Sequence, residues 1–157
     1  GIALEPDSLD GLTFTPFYTD RFVAVLPADS PLAGESTITW EQLLEDHFIT
    51  LQRPSAVRLL LEDQLASRHG RLPVAFESHQ LVTVGRMVAE GLGVSAVPRL
   101  CRQQMEELGA HCVALEEPCI ERRVGLFCLA QHQLSSAAQA LSDVLVQGTD
   151  WAGMERE

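Results

Sequence analysis

Apolar residues along the chain recur at two spacings, which alternate from one end of the sequence to the other. Apolar positions three or four residues apart predict helices that begin near Thr39, Ser55, Gln80, Pro98 and Ser135. Short runs rich in apolar and β-branched residues predict strands at 48–51, 73–77, 92–97, 112–115 and 121–130. Strands that alternate with helices are typical of an α/β fold with mainly parallel sheets.

The chain before the first helix is rich in β-branched and aromatic residues and predicts two strands separated near residues 18–20. Residues 20–112 contain a complete run of strand and helix units, whereas the flanking pieces need each other to make a sheet. We therefore expect two lobes, the first made of 1–19 and 113–148 and the second of 20–112. A flexible tail is expected at 149–157.

Residues 91–96, GLGVSA, fit the pattern G-x-G-x-x-G/A of a dinucleotide-binding loop. Such a loop needs a strand before the glycines and a helix after them. Here a helix comes first and a strand follows, so no dinucleotide or other cofactor is expected. The alternative is structural: Gly91 ends the helix in a left-handed conformation, and Gly93 lets the strand pack closely.

The charge of the chain limits its partners. Eleven Lys and Arg residues oppose 22 Asp and Glu residues, which gives a net charge of −11. Such a surface repels phosphate backbones, so this chain by itself is not expected to bind DNA or RNA. No apolar run is long enough for a membrane span, and the first residues lack the features of a signal peptide. We expect no membrane partner and a cytoplasmic location.

Catalytic and metal-binding patterns are weak. Ser95 lacks the second glycine of G-x-S-x-G and lies within a predicted strand, so it is expected to be a packing residue. The five histidines are dispersed and the four cysteines contain no C-x-x-C pair, so no metal site is expected. Buried, reduced thiols are favoured over a redox-sensing cysteine. The chain is therefore not expected to be an enzyme.

Several segments, taken in order, resemble one family. Residues 87–98, MVAEGLGVSAVP, resemble the (L/M)VAxGxGVxxxP segment of the effector-binding domain of LysR-type transcriptional regulators. Other pieces agree in order and spacing: GIAL, FVAVLPADSPLA, ITWEQLLEDHFITL, PSAVRLLLEDQL and PCIERRVGLFCL. The resemblance covers essentially all of residues 1–148.

This resemblance implies a fold like a type 2 periplasmic binding protein, with two α/β lobes, two crossover strands and a small-molecule effector in the cleft. It also implies a homo-oligomer, either a dimer or a tetramer. The sequence opens at what resembles a middle strand of the first lobe. We therefore expect an incomplete first lobe, and contact with DNA only through an N-terminal winged helix-turn-helix that this chain lacks.

Ligands in α/β folds gather beyond the carboxyl ends of strands, where helix N-termini also point. In the second lobe this rule selects the loops after strands 48–51 and 73–77, and in the family pattern both loops face the effector. Their candidate ligand-binding residues are Gln52, Arg53, Ser55, Ser78, His79, Gln80 and Thr83. Glu5 and Pro6 follow the first strand and are candidates by the same rule, while Phe17 and Pro118 lie near the expected crossovers as hinge residues.

An arginine beside a helix N-terminus suits a carboxylate, so the expected ligand is an organic anion. The leading hypothesis is the effector-sensing domain of a LysR-type regulator. A solute-binding protein of a transport system shares the architecture and remains the alternative. An enzyme of similar fold is disfavoured, because no nucleophile and base converge in the sequence.

Overall fold

The computed structural model describes residues 1–6, 8–130 and 134–148. The chain forms two compact units, which we name the terminal unit (residues 1–20 with those from 121 onward) and the central unit (residues 21–120). The strands are β1 (Ile2–Leu4), β2 (Leu12–Leu26), β3 (Thr37–Thr39), β4 (Phe48–Leu51), β5 (Val74–Ser78), β6 (Ser95–Pro98), β7 (His111–Glu116) and β8 (Glu121–Leu129). The helices are α1 (Trp40–Leu44), α2 (Ala56–His69), α3 (Leu81–Ala89), α4 (Arg102–Glu107) and α5 (Ser136–Asp143).

In the central unit, the end of β2 is the middle of a sheet. It pairs antiparallel with β6 on one side and with β7 on the other, and β7 pairs in parallel with β3. The last five residues of β2, 22–26, are all buried because they have strand neighbours at both edges and packed side chains on both faces. Two apolar clusters on the two faces form the core of this unit.

The pair β4 and β5 is the part of the central unit that positions the candidate site. The two strands run in parallel, and a bridge from Phe48 to Val94 joins β4 to the chain just before β6. Leu61 and Leu65 of α2 and Val84 and Val88 of α3 are fully or almost fully buried, so both helices pack on this region through their apolar stripes. Each helix begins just beyond the carboxyl end of one of these strands.

In the terminal unit, β1 pairs antiparallel with β8, which also neighbours β2. The rings of Phe14 and Phe127 pack 5.0 Å apart between centroids. Asp20 is completely buried and accepts hydrogen bonds from Arg122 Nε at 3.1 Å and Nη2 at 2.9 Å. Among the described residues, no helix of either unit is long and apolar enough to cross a membrane.

The expectation of two strands separated near residues 18–20 is wrong, since β2 is one strand of 15 residues. Tyr18, Asp20 and Phe22 are buried while Thr19 and Arg21 between them are exposed, which is the alternation of an extended strand. Asp20 looks like a turn residue in the sequence, yet it points inward because Arg122 neutralises its charge.

Two other features differ from expectation. The sheets are mixed, because the pairs that β2 makes with β6 and β7 and the pair of β1 with β8 are antiparallel. The chain returns to the terminal unit at residue 121, whereas the sequence placed this boundary at 113. Residues 111–114 stay in the central unit because they pair with residues 23–26 of β2.

The local signals at helix ends are confirmed. Thr39 and Gln42 form a capping box at α1. At the end of α3, Gly91 has a φ of 77°, its N–H donates to Val88 O, and the N–H of Leu92 donates to Met87 O, which together make a Schellman motif. Gly93 permits close packing as expected, because a Cβ at this position would lie 2.1 Å from the carbonyl oxygen of His47.

Candidate functional site

The loops that follow β4 and β5 are adjacent. The strands are neighbours in parallel, and Leu51 and Ser78 at their carboxyl ends are paired in register. The N–H of Gln52 donates to the carbonyl oxygen of Ser78 at 2.9 Å, which ties the first loop to the second. We name the seven candidate residues carried by these loops and their helices the strand-end site: Gln52, Arg53, Ser55, Ser78, His79, Gln80 and Thr83.

Two helix N-termini open onto the strand-end site, and neither is capped by a side chain. Ser55 occupies the N-cap position of α2 without making a side-chain capping hydrogen bond, and Gln80 does the same at α3. In contrast, Thr39 caps α1 and Ser135 caps α5 through their hydroxyls. The first-turn N–H groups of α2 and α3 have no acceptor within their own helices and carry partial positive charge. This arrangement suits an anion.

Arg53 contributes a charged side chain from the loop that leads into the N-terminus of α2. Its side chain is 65% exposed, and its Nη2 donates to Glu62 Oε2 on the following helix. Pro54 comes next through a cis peptide bond, and the N–H of Ser55 donates back to Gln52 O at 3.1 Å, so the loop is a tight turn. On the second loop, Ser78 Oγ accepts from the N–H of Gln80 at 3.2 Å, while His79 and Thr83 are exposed.

A charged cluster behind the strand-end site is not among the sequence predictions. Arg58 in α2 has a side chain only 7% exposed, and its Nε donates to Glu62 Oε1 at 2.7 Å. Its Nη1 lies 3.4 Å from Glu77 Oε1 in β5 but is buried without a hydrogen-bond partner among the described residues. The available signal was the spacing 58, 61 and 65, which places this arginine on the apolar stripe of the helix.

Glu62 stands between two guanidinium groups. Partial burial raises the pKa of Glu62, but the hydrogen bonds and charges of Arg58 and Arg53 outweigh this effect and hold its pKa below the usual value for a glutamate. The carboxylate of Glu62 is therefore ionised at neutral pH and forms ion pairs with both arginines.

The remaining candidates lie outside the strand-end site. Glu5 and Pro6 belong to the terminal unit, where Glu5 Oε1 pairs with Arg123 Nη1 at 3.0 Å and its N–H donates to Arg123 O. Phe17 is a half-buried residue within β2. The carbonyl oxygen of Pro118 accepts from Trp40 Nε1 at 2.9 Å, which fixes the segment after β7 to the core of the central unit.

All four cysteines carry free thiols, and they differ in exposure. Cys112 is buried in the central unit, Cys119 is exposed, and Cys101 and Cys128 are half-buried. Burial raises the pKa of the Cys112 thiol to about 12. Among the described residues, no group of three or more His, Cys, Asp or Glu side chains is placed to hold a metal ion.

Alkylation with iodoacetamide at neutral pH should modify Cys119 first and Cys112 last. The thiolate is the reactive form, and Cys112 combines burial with a raised pKa, so we expect its rate to be at least about tenfold lower than that of Cys119. Peptide mass spectrometry over time measures both rates, and labelling in urea provides the fully reactive control. Equal rates for the two thiols in the folded protein would contradict the buried placement of Cys112.

The sequence matches the family described as LysR substrate binding domain over residues 1–150. It is 31% identical over 146 residues to YbhD of Escherichia coli K12, described as an uncharacterized HTH-type transcriptional regulator, and the alignment covers 93% of this chain and 46% of YbhD. It is 27% identical over 142 residues to the probable RuBisCO transcriptional regulator of Trichormus variabilis, covering 87% of this chain and 42% of that protein. The chain thus spans about half the length of the curated relatives it matches.

Solved structures share the fold. The regulatory domain of CcmR from Synechocystis PCC6803, in complex with 2-PG, is 26% identical with a TM-score of 0.78, covering 95% of this chain and 72% of that one. The effector binding domain of QuiR, in complex with shikimate, is 20% identical with a TM-score of 0.78, covering 94% of this chain and 69% of that one.

The expected fold class, like that of a type 2 periplasmic binding protein, is confirmed by this likeness. The ordered segments that suggested the family in the sequence agree with the match over residues 1–150. The chain belongs to the LysR substrate-binding domain family.

Proposed function

We propose that this chain is the effector-sensing domain of a transcriptional regulator and binds a small organic anion at the strand-end site. The observation that carries the proposal is that two adjacent loops lead into helix N-termini without side-chain caps, and one of these loops carries the exposed side chain of Arg53. Backbone N–H groups and a guanidinium together recognise carboxylate and phosphate groups through charge-assisted hydrogen bonds.

The related proteins support a small anionic effector. The domain of QuiR was solved with shikimate, which is a carboxylate, and that of CcmR was solved with 2-PG. The net charge of −11 disfavours binding of large polyanions by this chain, but a pair of helix N-termini acts over short range. A small ligand reaches these groups without approaching most of the acidic surface.

The proposal extends to the partners of the whole protein. We infer that it acts in the cytoplasm as a homo-oligomer, a dimer or tetramer, and contacts DNA through a winged helix-turn-helix outside this chain. Ligand binding changes DNA binding only if the affinity for the ligand differs between two arrangements of the protein. The curated relatives are transcriptional regulators rather than transport proteins, which disfavours the alternative of a solute-binding protein.

Replacement of Arg53 by alanine should weaken binding of the anion. A hydrogen bond to a charged group contributes about 1.5 to 3 kcal/mol, so we expect the dissociation constant to rise by at least about tenfold. The ligand is first selected by thermal-shift screening of the intact protein against shikimate, other small carboxylates and simple organic phosphates. Isothermal titration calorimetry then compares the wild type with Arg53→Ala.

Arg68→Ala is the matched control, because it removes the same charge from an exposed position near the far end of α2. Its dissociation constant should stay within about twofold of the wild type, as expected for an exposed charge separated from the ligand by more than a Debye length. If no compound in the panel raised the melting temperature, the proposed function would fail. If Arg53→Ala bound the selected compound as well as Arg68→Ala does, the strand-end site would not be the binding site.

A further inference from the structure

Glu62 is shared by two arginines that differ sharply in their surroundings. One oxygen accepts from Nε of the buried Arg58, and the other accepts from Nη2 of the exposed Arg53. The first contact joins two side chains of one helix at the i, i+4 spacing, and it is shielded from water. The second contact crosses from the loop to the helix and has one partner in solvent, so it is the weaker and more easily exchanged of the two.

Arg58 has spare hydrogen-bonding capacity. Its Nη1 is buried without a hydrogen-bond partner among the described residues, and the nearest carboxylate oxygen, Glu77 Oε1, is 3.4 Å away. A buried donor of this kind gains from any acceptor that moves toward it. If Arg53 leaves Glu62, the carboxylate keeps the hydrogen bond from Arg58 Nε, because that bond does not involve Arg53.

We propose that Glu62 is an internal competitor for the ligand, a carboxylate that occupies Arg53 until an anion at the strand-end site takes its place. The inference rests on the proposed function and deepens it, because it assigns control of anion affinity to Glu62. Arg58 acts as the fixed anchor: it retains Glu62 when Arg53 turns toward the ligand, so the exchange leaves no partly buried carboxylate without a partner. An uncharged ligand has no means to displace Glu62, and the site therefore selects for anions.

The test measures sulfate binding to the intact protein, because sulfate is a simple divalent anion whose charge is constant across the pH range of interest. Glu62→Gln should bind sulfate at least about threefold more tightly than the wild type, since the competing charge is removed while the side-chain length is kept. In an Arg53→Ala background the same substitution should produce no gain, because Glu62 acts through Arg53.

Glu90→Gln is the matched control. It removes the same charge from an exposed i, i+4 pair with Arg86 at the opposite end of α3 from the site, so it should leave sulfate affinity within about 1.5-fold of the wild type. The proposal is overturned if Glu62→Gln binds no more tightly than Glu90→Gln, or if its gain persists with Arg53→Ala. The ligand screen tests the proposed function, and the sulfate measurement tests the role of Glu62. If the screen finds an anion but Glu62→Gln does not bind sulfate more tightly, only the role of Glu62 is rejected.

A second measurement uses the wild type alone, so it still tests the proposal if Glu62→Gln does not fold. The side-chain carboxyl carbon of Glu62 is titrated by NMR with and without saturating sulfate. Loss of Arg53 as a partner should raise the pKa of Glu62, because one of the two cations that stabilise the carboxylate has moved to sulfate. A pKa of Glu62 that is unchanged by sulfate overturns the proposal.

Discussion

Gly93→Ala is expected to lower the free energy of unfolding by roughly 3 to 5 kcal/mol, which combines the strain of a positive φ with overpacking. Gly93 has a φ of 149°, and a Cβ there would lie 2.1 Å from the carbonyl oxygen of His47. That oxygen belongs to the backbone and already accepts from the N–H of Val94, so it cannot move without breaking the bridge between β4 and the chain before β6. Urea unfolding followed by tryptophan fluorescence, to which the buried Trp40 contributes, measures the loss.

Gly91→Ala is the control for this prediction. Gly91 also has a positive φ, 77°, but no described residue beyond its chain neighbours and its own helix lies within 4 Å of the position that its Cβ would take. We expect a loss of about 1 to 2 kcal/mol, the cost of a left-handed conformation alone. Equal losses for the two variants would show that the close approach to His47 does not determine the behaviour of Gly93.

Because β4 leads directly into Gln52 and Arg53, Gly93→Ala should also disturb the strand-end site.

These two glycines show why much of the fold could be predicted from the sequence. The role of Gly91 depends only on the helix before it, and the capping box of Thr39 depends only on a residue three positions away. Interactions of this range are encoded in short segments, so their residue spacing is sufficient. The order of elements around the glycines also excluded a dinucleotide loop, because that loop requires a strand before its glycines and a helix after them.

The continuous strand β2 could not be predicted by the same reasoning. Asp20 is a turn-forming residue in the sequence, and the interaction that keeps it within a strand comes from an arginine 102 positions away. Arg122 supplies two donors to Asp20 and allows a carboxylate to face the interior of a strand. A contact between residues so far apart in the sequence cannot be recognised from the residues around either of them.

The strand-end site also combines features that neighbouring residues determine with features that depend on distant residues. Its two loops could be predicted to meet because the carboxyl ends of neighbouring parallel strands share one edge of a sheet. The environment of Arg58 in α2 could not be predicted, since it depends on Glu77 of the separate strand β5 and on the direction of a buried side chain. The pairing of Glu5 with Arg123 is likewise set by the register of β1 against β8, in which Leu4 lies opposite Val124.

Asp20→Asn should destabilise the protein by about 3 to 5 kcal/mol, because it removes one charge of an ion pair that is shielded from water. Asp20 is fully buried and the side chain of Arg122 is only 13% exposed, so water cannot replace the lost carboxylate. For a chain of this size, each kcal/mol lowers the melting temperature by roughly 2 to 4 °C, so the loss should be clear in thermal unfolding followed by circular dichroism.

Two comparison variants separate charge burial from the mere loss of a contact. Glu5→Gln removes the carboxylate of the neighbouring pair with Arg123, whose side chains are 40% and 49% exposed, and should cost no more than about 1 kcal/mol. Combining Asp20→Asn with Arg122→Met should recover much of the lost stability, because the double variant no longer buries a guanidinium without its carboxylate. A loss for Asp20→Asn as small as that of Glu5→Gln, or a double variant less stable than the single one, would contradict this account. The inward-facing Asp20 would then owe its place in β2 to the strand pairing rather than to the charge of Arg122.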